Sequence, residues 1–237
     1  NLYIASDDGA YVVPRGERAR RVASGPFSAV ARVEDAMWFA GRSGVARMDG
    51  EKLTRWGADQ GVPVEQPTAI SECGLGEICV GAVDGLRKLE IRTSTSTDGA
   101  RQVTAHAAGG AEVTLPAQFV TAVASSMYAT WVGTFDGGLV QLRQGAPLTP
   151  ADGLPEGRIN PRALAVSGDQ AYAGTPSGLL VARGRSAALV PVGGAVSAAA
   201  PSIVGGVWLG LSGKVVRMEV EFPSDWSSLA QSRSRIP

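Results

Sequence analysis

The chain has 237 residues, with 22 basic and 22 acidic side chains and a formal net charge of zero. This balance, with no polybasic run, excludes binding that is dominated by nucleic-acid phosphates. The apolar runs are no longer than a strand, so the sequence contains no candidate transmembrane helix. Its 31 glycines and 14 prolines, with few aromatic residues, are typical of many tight turns between short strands.

One pattern recurs along the chain and is clearest in residues 161–182. There a short apolar strand, a turn at Gly168-Asp169, a second strand and a second turn lead into a third strand. Short strands joined by tight turns predict an antiparallel meander. A meander of this size cannot bury both faces of its sheet alone, so it must stack on copies of itself.

The copies are found by following the second strand, in which an aromatic residue or a cysteine is followed two residues later by a small one. This aromatic slot is filled by Tyr3, Phe39, Cys79, Trp131, Tyr172 and Trp208. Successive slots lie 36, 40, 52, 41 and 36 residues apart, and a glycine closes the turn after each slot. Ten or eleven residues before every slot but the first, a small polar residue or arginine opens an alanine-rich strand. These opening residues are Ser28, Thr68, Thr121, Arg162 and Ser197.

The inner strand that the first repeat lacks is found at the other end of the chain. Residues 226–230, WSSLA, have the form of the inner strands of the other repeats. The arrangement predicts an all-β fold, a six-bladed β-propeller closed by a C-terminal strand that completes the first blade. An open solenoid is the alternative, and the C-terminal strand argues against it.

The predicted propeller is a single domain of residues 1–237, and its blades follow the repeats. The first blade combines residues 2–23 with 226–231, and the others span 26–57, 67–115, 119–149, 161–192 and 195–222. Residues 93–100, TSTSTDGA, form a polar insertion in the third blade that accounts for the longest spacing. The insertion is either a surface loop or a binding loop.

Two cysteines, Cys73 and Cys79, stand on either side of a predicted hairpin turn. If the turn centres on Gly76, they face each other across two antiparallel strands, close enough for a disulfide. A disulfide indicates an extracytoplasmic protein, whereas two reduced, packed thiols would fit a cytosolic one. We predict the disulfide and a periplasmic or secreted location.

The fourth and fifth repeats carry the most specific sequence signal. It consists of WVGTFDGGL at 131–139, and of DGLP at 152–155 followed by Ile159 and by YAGTPSGL at 172–179. This pattern resembles the two-component regulator propeller repeat. Propellers of that family usually form the extracytoplasmic part of bacterial hybrid histidine-kinase sensors, often sensors of carbohydrate. The resemblance implies a bacterial propeller outside the cytoplasm, either a sensor domain or a stand-alone envelope or secreted propeller.

A binding site is predicted where the second turns and the crossings between blades meet around the central channel. Two rings of residues around the channel are small or neutral except for Arg42 in one ring and Arg162 in the other. Because the second and fifth blades oppose each other, the two guanidinium groups predict a site for a carboxylate or phosphate. Asp84, Phe135 and Asp136 would be the nearest polar and aromatic residues. In the alternative interpretation, the arginines pair with neighbouring carboxylates and hold blades together.

No catalytic constellation is predicted. The one histidine, His106, falls on an outer strand, so a serine triad would have no base near the channel. A zinc site would need more than one histidine, and no carboxylate pattern recurs at the channel to bind calcium. The aromatic slots are assigned to the core between blades rather than to sugar stacking. We therefore expect no enzyme activity, no metal and no cofactor.

Two functions from different classes remain. The first is a non-catalytic scaffold or recognition module that binds another protein through the inner turns or through residues 93–118. The second is a sensor domain for a small ligand, either a sugar or an organic anion. A propeller-type lyase or hydrolase is a minor third alternative. No nucleic-acid partner and no membrane span are expected.

Overall fold

The computed structural model describes residues 1–50, 52–62, 65–95, 101–108, 115–142, 148, 154 and 157–219. Within these ranges 21 strands form six antiparallel sheets of three or four strands, and each sheet follows the previous one along the chain. A single 3-10 turn, Ala58–Gln60, follows the second sheet. Nowhere in the described residues is there a helix with the length and hydropathy needed to cross a membrane.

The first three sheets contain eleven of these strands. The first sheet comprises β1 (Leu2–Ala5), β2 (Gly9–Val13) and β3 (Arg20–Ser24). The second comprises β4 (Phe27–Val33), β5 (Ala36–Gly41), β6 (Gly44–Asp49) and β7 (Lys52–Trp56). The third comprises β8 (Pro67–Gly74), β9 (Glu77–Ala82), β10 (Gly85–Thr95) and β11 (Arg101–Ala107).

The remaining sheets repeat the plan. The fourth comprises β12 (Val120–Ser125), β13 (Thr130–Thr134) and β14 (Leu139–Gln141). The fifth comprises β15 (Leu164–Ser167), β16 (Gln170–Thr175), β17 (Gly178–Arg183) and β18 (Ser186–Val190). The sixth comprises β19 (Ala198–Pro201), β20 (Val207–Leu211) and β21 (Lys214–Met218). In all six sheets the strands pair in the order of the chain, as the predicted meander requires.

The core lies between the sheets. The first strands of successive sheets are neighbours, with β4 beside β8, β8 beside β12, β12 beside β15 and β15 beside β19. On β17, Leu179 and Val181 pack toward the sixth sheet while Leu180 and Ala182 pack toward the fourth. Each of these side chains is buried, so the strand is a continuous apolar run rather than an alternating one. Apolar packing on both faces is therefore what joins one sheet to the next.

The prediction that Phe39 fills the aromatic slot of the second repeat is wrong by one residue. The turn between β5 and β6 consists of Arg42 and Ser43, and two-residue turns occupy the same place in the third, fifth and sixth sheets. In those three sheets the residue in the aromatic slot lies four residues before the turn. In the second sheet that residue is Trp38, so Trp38 occupies the slot and Phe39 lies on the opposite face of the sheet. Trp38 stacks on Trp56 with ring centroids 5.3 Å apart and packs toward the third sheet.

The predicted disulfide is confirmed, although its geometry differs from the predicted one. Cys73 and Cys79 are bonded, with Cα atoms 5.6 Å apart. Cys79 lies opposite Ser71 in the register, and Cys73 is an extra residue inserted between Glu72 and Gly74. The resulting β-bulge, rather than a direct cross-strand pairing, brings the two sulfur atoms together.

Part of the predicted insertion in the third blade is regular structure. Residues 93–95 continue β10, whose Thr95 lies opposite Arg101 of β11. Residues 96–100 lie outside the described part of the chain. His106 lies on β11, the outermost strand of its sheet.

The first and sixth sheets are the two ends of the described series. Apolar clusters in the described residues join each sheet to the next, and none of them joins the sixth sheet to the first. Leu2 and Ile4 of the first sheet and Trp208 and Val215 of the sixth are exposed. The predicted closing strand, 226–231, lies outside the described residues.

Candidate functional site

Three of the residues predicted to open the inner strands share one backbone feature. Ser28, Thr68 and Thr121 are each the extra residue of a β-bulge near the start of β4, β8 and β12. A bulge interrupts the ladder and re-aims the side chain of the inserted residue. These small polar residues can therefore reach sideways to the neighbouring sheet.

Two of the bulge hydroxyls join adjacent sheets. The hydroxyl of Ser28 donates a hydrogen bond to the carbonyl oxygen of Pro67, and the hydroxyl of Thr68 donates to that of Val120 at 2.6 Å. The hydroxyl of Thr121 is buried and has no hydrogen-bond partner in the described structure. The ring that sequence analysis associated with a ligand thus contributes, at two positions, to the attachment between sheets.

Arg162 occupies the corresponding position of the fifth sheet and departs from the pattern. Its backbone is left-handed, with φ of 61°, and its N–H donates to the carbonyl oxygen of Thr121 at 3.2 Å. A left-handed conformation at a residue other than glycine is uncommon and costs about 1 kcal/mol or more. The Arg162 side chain is exposed and contributes to the wall of the central cavity.

The central cavity has a volume of about 350 Å³ and is lined by the first five sheets. Its described walls are β1, β4, β8 and β12, together with Arg162 and Leu164. Among these lining residues Arg162 alone carries a charge. β1 borders the cavity directly because the first sheet, as described, has no strand on the inner side of β1.

Arg42 lines a different cavity. This second cavity measures about 260 Å³ and also contacts Asp7 and Gln66 near the crossing into the third sheet. The two cavities share Ser28 and Thr68 in their walls. The structure therefore places the two predicted arginines on either side of a common wall rather than in a single cavity.

The other predicted site residues are dispersed around the same end of the sheets. Asp84 forms an ion pair with Arg87 of its own sheet at 2.6 Å. Phe135 and Asp136 are exposed in the turn between β13 and β14.

Asp8, which was not predicted as a site residue, lies in the turn between β1 and β2. Its carboxylate accepts hydrogen bonds from the hydroxyls of Ser6 and Tyr11, which hold the pKa of Asp8 below its usual range.

Sequence reasoning missed a stack of three side chains at this end of the fourth sheet. The rings of Phe119 and Phe135 stack with centroids 5.4 Å apart and an interplanar angle of 14°. The Arg158 guanidinium lies 4.7 Å from the centroid of the Phe135 ring, which is a cation-π distance. Phe119 and Arg158 belong to crossings between sheets, where the repeat has no fixed residue, so the repeat pattern gave no signal for them.

Both phenylalanines of this stack are exposed. We refer to Phe119, Phe135 and Arg158 as the aromatic–arginine stack. In the described residues, no group of three or more histidine, cysteine, aspartate or glutamate side chains is placed to hold a metal ion. This end of the fourth sheet therefore carries an exposed stack of two phenylalanine rings and one guanidinium group.

The sequence matches no protein-family model. No curated protein matches it either. Similarity is found instead among solved structures, at low identity.

Two similar structures are extracellular domains from B. thetaiotaomicron. One belongs to BT4673, described as a hybrid two-component system, with a TM-score of 0.60, 10% identity and coverage of 92% of this chain and 32% of that one. The other belongs to BT3049, with a TM-score of 0.57, 15% identity and coverage of 82% of this chain and 28% of that one. This chain thus spans about a third of the length of those domains.

A third similar structure is the WD40 domain of Neurospora crassa Pan2. It has a TM-score of 0.52 and 15% identity, with 92% of this chain and 76% of that one covered. WD40 repeats form β-propellers. At such identities the likeness concerns the fold, and it shows a propeller-like, all-β architecture.

The bulge hydroxyls give a direct test of their structural role. We expect Thr68→Val to lower the free energy of unfolding by about 1 kcal/mol, because the carbonyl of Val120 loses its donor. Thr121→Val is the matched control and should leave stability unchanged or raise it, since its hydroxyl is buried without a partner. Urea unfolding of the two variants measures the difference. Equal effects of both substitutions would contradict this role.

Proposed function

We propose that this protein is a non-catalytic recognition module, built as a closed six-bladed β-propeller, that binds another protein outside the cytoplasm. Its binding surface would be the end of the sheets that carries the crossings and the aromatic–arginine stack.

Closure is supported by a comparison among the repeats. Trp208 is 44% exposed, whereas the residues in the same slot of the second to fifth sheets are at most 4% exposed. Those counterparts face the next sheet in the series, so Trp208 faces whatever follows the sixth sheet. On the first sheet, Leu2 and Ile4 correspond to the buried Val207 and Leu209 of the sixth. Both end faces are apolar and would be covered if the sixth sheet packed against the first.

Among the described strands, none lies on the inner side of β1, and this position suits a closing strand. Each of the other five sheets has an inner strand before the strand that carries its slot, and the described first sheet begins at the slot strand itself. Residues 226–230, WSSLA, match the inner-strand pattern, with Ser227 at the position of the bulge residue Ser28. A strand there would pair with the open edge of β1 and remove an unpaired sheet edge.

The observation that carries protein recognition is the aromatic–arginine stack. Aromatic residues and arginine dominate the binding energy of protein interfaces, because they bury a large area and tolerate desolvation when stacked. Phe119, Phe135 and Arg158 lie on three separate segments of the fourth sheet and its flanking crossings, yet they form one ordered surface. Exposed rings held in this way gain contact area on binding with little loss of conformational freedom.

Three further observations fit a non-enzymatic protein outside the cytoplasm. His106 lies on the outermost strand of the third sheet, away from both cavities. The Cys73–Cys79 disulfide is of a kind that persists in oxidising compartments. Two of the similar structures are themselves extracellular domains, from a bacterium.

A second candidate function is the binding of a small organic anion or a sugar, as in a sensor. The observation that favours an anion is Arg162, the charged residue among those that line the central cavity. Arg42 lines the adjoining cavity and would not contact an anion in the central one. Asp84 is already paired with Arg87, and Asp136 would repel an anion, so these two carboxylates would not contribute to anion binding.

Closure predicts a specific effect of truncation. Removing residues 223–237 should lower the Tm by about 10 °C, because the edge of β1 and the end faces lose their cover. Removing only residues 232–237 is the matched control and should leave the Tm within about 2 °C of the parent value, since the strand would be retained. Differential scanning calorimetry measures both. A parent-like Tm for the longer truncation would refute closure by this strand.

Protein recognition predicts the loss of a partner on mutation of the stack. In a crosslinking pull-down from the native cell envelope, Phe135→Ala and Arg158→Ala should each reduce recovery of the partner about tenfold, as expected for interface hot spots. Arg92→Ala removes an exposed arginine on the third sheet and should leave recovery unchanged. Unchanged recovery with both stack variants would show that the stack is not the binding surface.

The anion candidate predicts different behaviour of the two arginines. In a thermal-shift screen of organic anions and inorganic phosphate, stabilisation of the parent protein should disappear in Arg162→Ala, which removes the positive charge of the central cavity. Arg42→Ala should retain it, because Arg42 lines the other cavity. Loss in Arg42→Ala alone would move the site to that second cavity, and no loss in either variant would dismiss both arginines.

A further inference from the structure

The opposite end of the sheets, which carries the hairpins between first and second strands, has a surface of its own. Adjacent hairpins are tied together there. The hydroxyl of Ser126 donates to the carbonyl oxygen of Gly168 in the fifth sheet, and the N–H of Glu34 donates to the Glu72 carboxylate at 3.4 Å. The hairpins of the second and third sheets, and those of the fourth and fifth, are therefore joined in pairs, and we term the surface that all four present the hairpin face.

Two neighbouring hairpins of this face have apolar tips. Leu75, at the tip of the third-sheet hairpin, is fully exposed, and Met127 of the fourth-sheet hairpin is 80% exposed, with Tyr128 exposed beside it. Turn positions usually hold glycine, asparagine, aspartate or serine, each for a conformational reason. The hairpins of the second and fifth sheets have polar or glycine turn residues, Glu34-Asp35 and Gly168-Asp169. The apolar tips of the third and fourth sheets therefore require another explanation than turn formation.

Both tips are held in place by local bonds. The Cys73–Cys79 disulfide closes the third-sheet hairpin directly behind Leu75, and Gly76 supplies the left-handed turn residue with φ of 68°. In the fourth sheet, the hydroxyl oxygen of Ser126 accepts hydrogen bonds from the N–H groups of Tyr128 at 3.1 Å and of Ala129 at 3.3 Å. Because the turn backbones are braced in this way, they lose little conformational entropy when they bind a partner.

A cavity of about 490 Å³ separates the two hairpins, and we term it the hairpin cleft. Leu75 and Cys73 line one side, and Met127 and Ala129 line the other. Glu72 is the charged residue among its described lining residues. Within the described residues, no arginine or lysine forms an ion pair with Glu72. The cleft thus combines apolar walls with one negative charge that lacks a cationic partner.

We infer that the hairpin cleft binds a protein segment in which an aliphatic or aromatic side chain enters between Leu75 and Met127 while an adjacent lysine or arginine meets Glu72. The apolar side chain would bury the two exposed tips, and the cation would complement the carboxylate. A membrane surface is less well matched, because Glu34, Asp35 and Glu72 face the same side and anionic lipid headgroups would repel them. This inference does not depend on the proposed function, since it uses the opposite end of the sheets.

The test uses short synthetic peptides as probes, each with a central leucine, phenylalanine or serine and with lysine, serine or glutamate next to it. Fluorescence polarisation with the full chain should show preferential binding of the peptides that combine leucine or phenylalanine with lysine. Leu75→Ser and Met127→Ser should each weaken that binding about tenfold. Glu72→Lys should reverse the preference, so that peptides with glutamate beside the apolar residue bind better than those with lysine. Ile203→Ser, on the exposed hairpin of the sixth sheet outside the cleft, is the matched control and should bind as the parent does.

Near-ultraviolet circular dichroism confirms that each variant is folded, and all four substituted residues lie in hairpins rather than in the core. The inference is overturned if no apolar-cationic peptide binds in preference to the serine peptides, or if the preference survives Glu72→Lys. It is also overturned if vesicles of phosphatidylcholine and phosphatidylglycerol sediment the parent chain but not Met127→Ser, which would assign the tips to a membrane. A concentration-dependent dimer that Met127→Ser abolishes in sedimentation velocity would instead assign them to a second copy of the chain.

Discussion

The structure depends on the burial of both faces of each small sheet. A sheet of three or four short strands has little stability alone, and its two apolar faces must each be covered by a neighbour. In the fifth sheet, Leu179 and Leu180 are consecutive residues on β17 that pack in opposite directions, and both are completely buried. Hydroxyl bonds such as that from Thr68 to Val120 add polar attachments at the inner edge of the same interfaces. Stability is therefore a property of the series of sheets. In the described residues, burial of the apolar faces is least complete at the two ends of that series, as the exposure of Trp208 shows.

This dependence explains why the all-β repeat was predictable from sequence. Packing between equivalent sheets places similar demands on equivalent positions, so an aromatic slot and a small residue recur at a regular spacing. A side chain at Gly81, for example, would collide with Val120 of the next sheet. The error in the second repeat has the same origin, because Trp38 and Phe39 are adjacent aromatic residues and both are buried. Their faces differ by a one-residue shift in register, which depends on the length of the following turn and not on hydrophobicity.

The candidate sites were less predictable because turns and crossings determine them. The sequence predicted that Cys73 and Cys79 would bond, but a bulge, which it did not indicate, brings them together. The sequence also predicted that Arg42 and Arg162 share one anion site. In the structure Arg42 lies in the turn between β5 and β6 and lines a separate cavity. Residues that do not recur, such as Phe119, contact their partners only once the crossings are folded. Periodicity carries no information about such contacts.

Departures from the repeat are therefore the most informative positions for function. Because packing between sheets uses most of their faces, the strand ends and the central cavity are the surfaces of the described structure that we consider for a partner or ligand. At those ends the scaffold requires only residues that can turn, so an exposed apolar side chain there is a candidate contact for a partner. Leu75 and Met127 occupy such positions on the hairpin face, and Phe135 occupies one at the opposite end. Arg162 is a comparable departure in the ring of bulge residues, where a small hydroxyl stands at the equivalent positions of neighbouring sheets. The two ends of the sheets present different features, the aromatic–arginine stack at one and the hairpin cleft with Glu72 at the other, so they are suited to different partners.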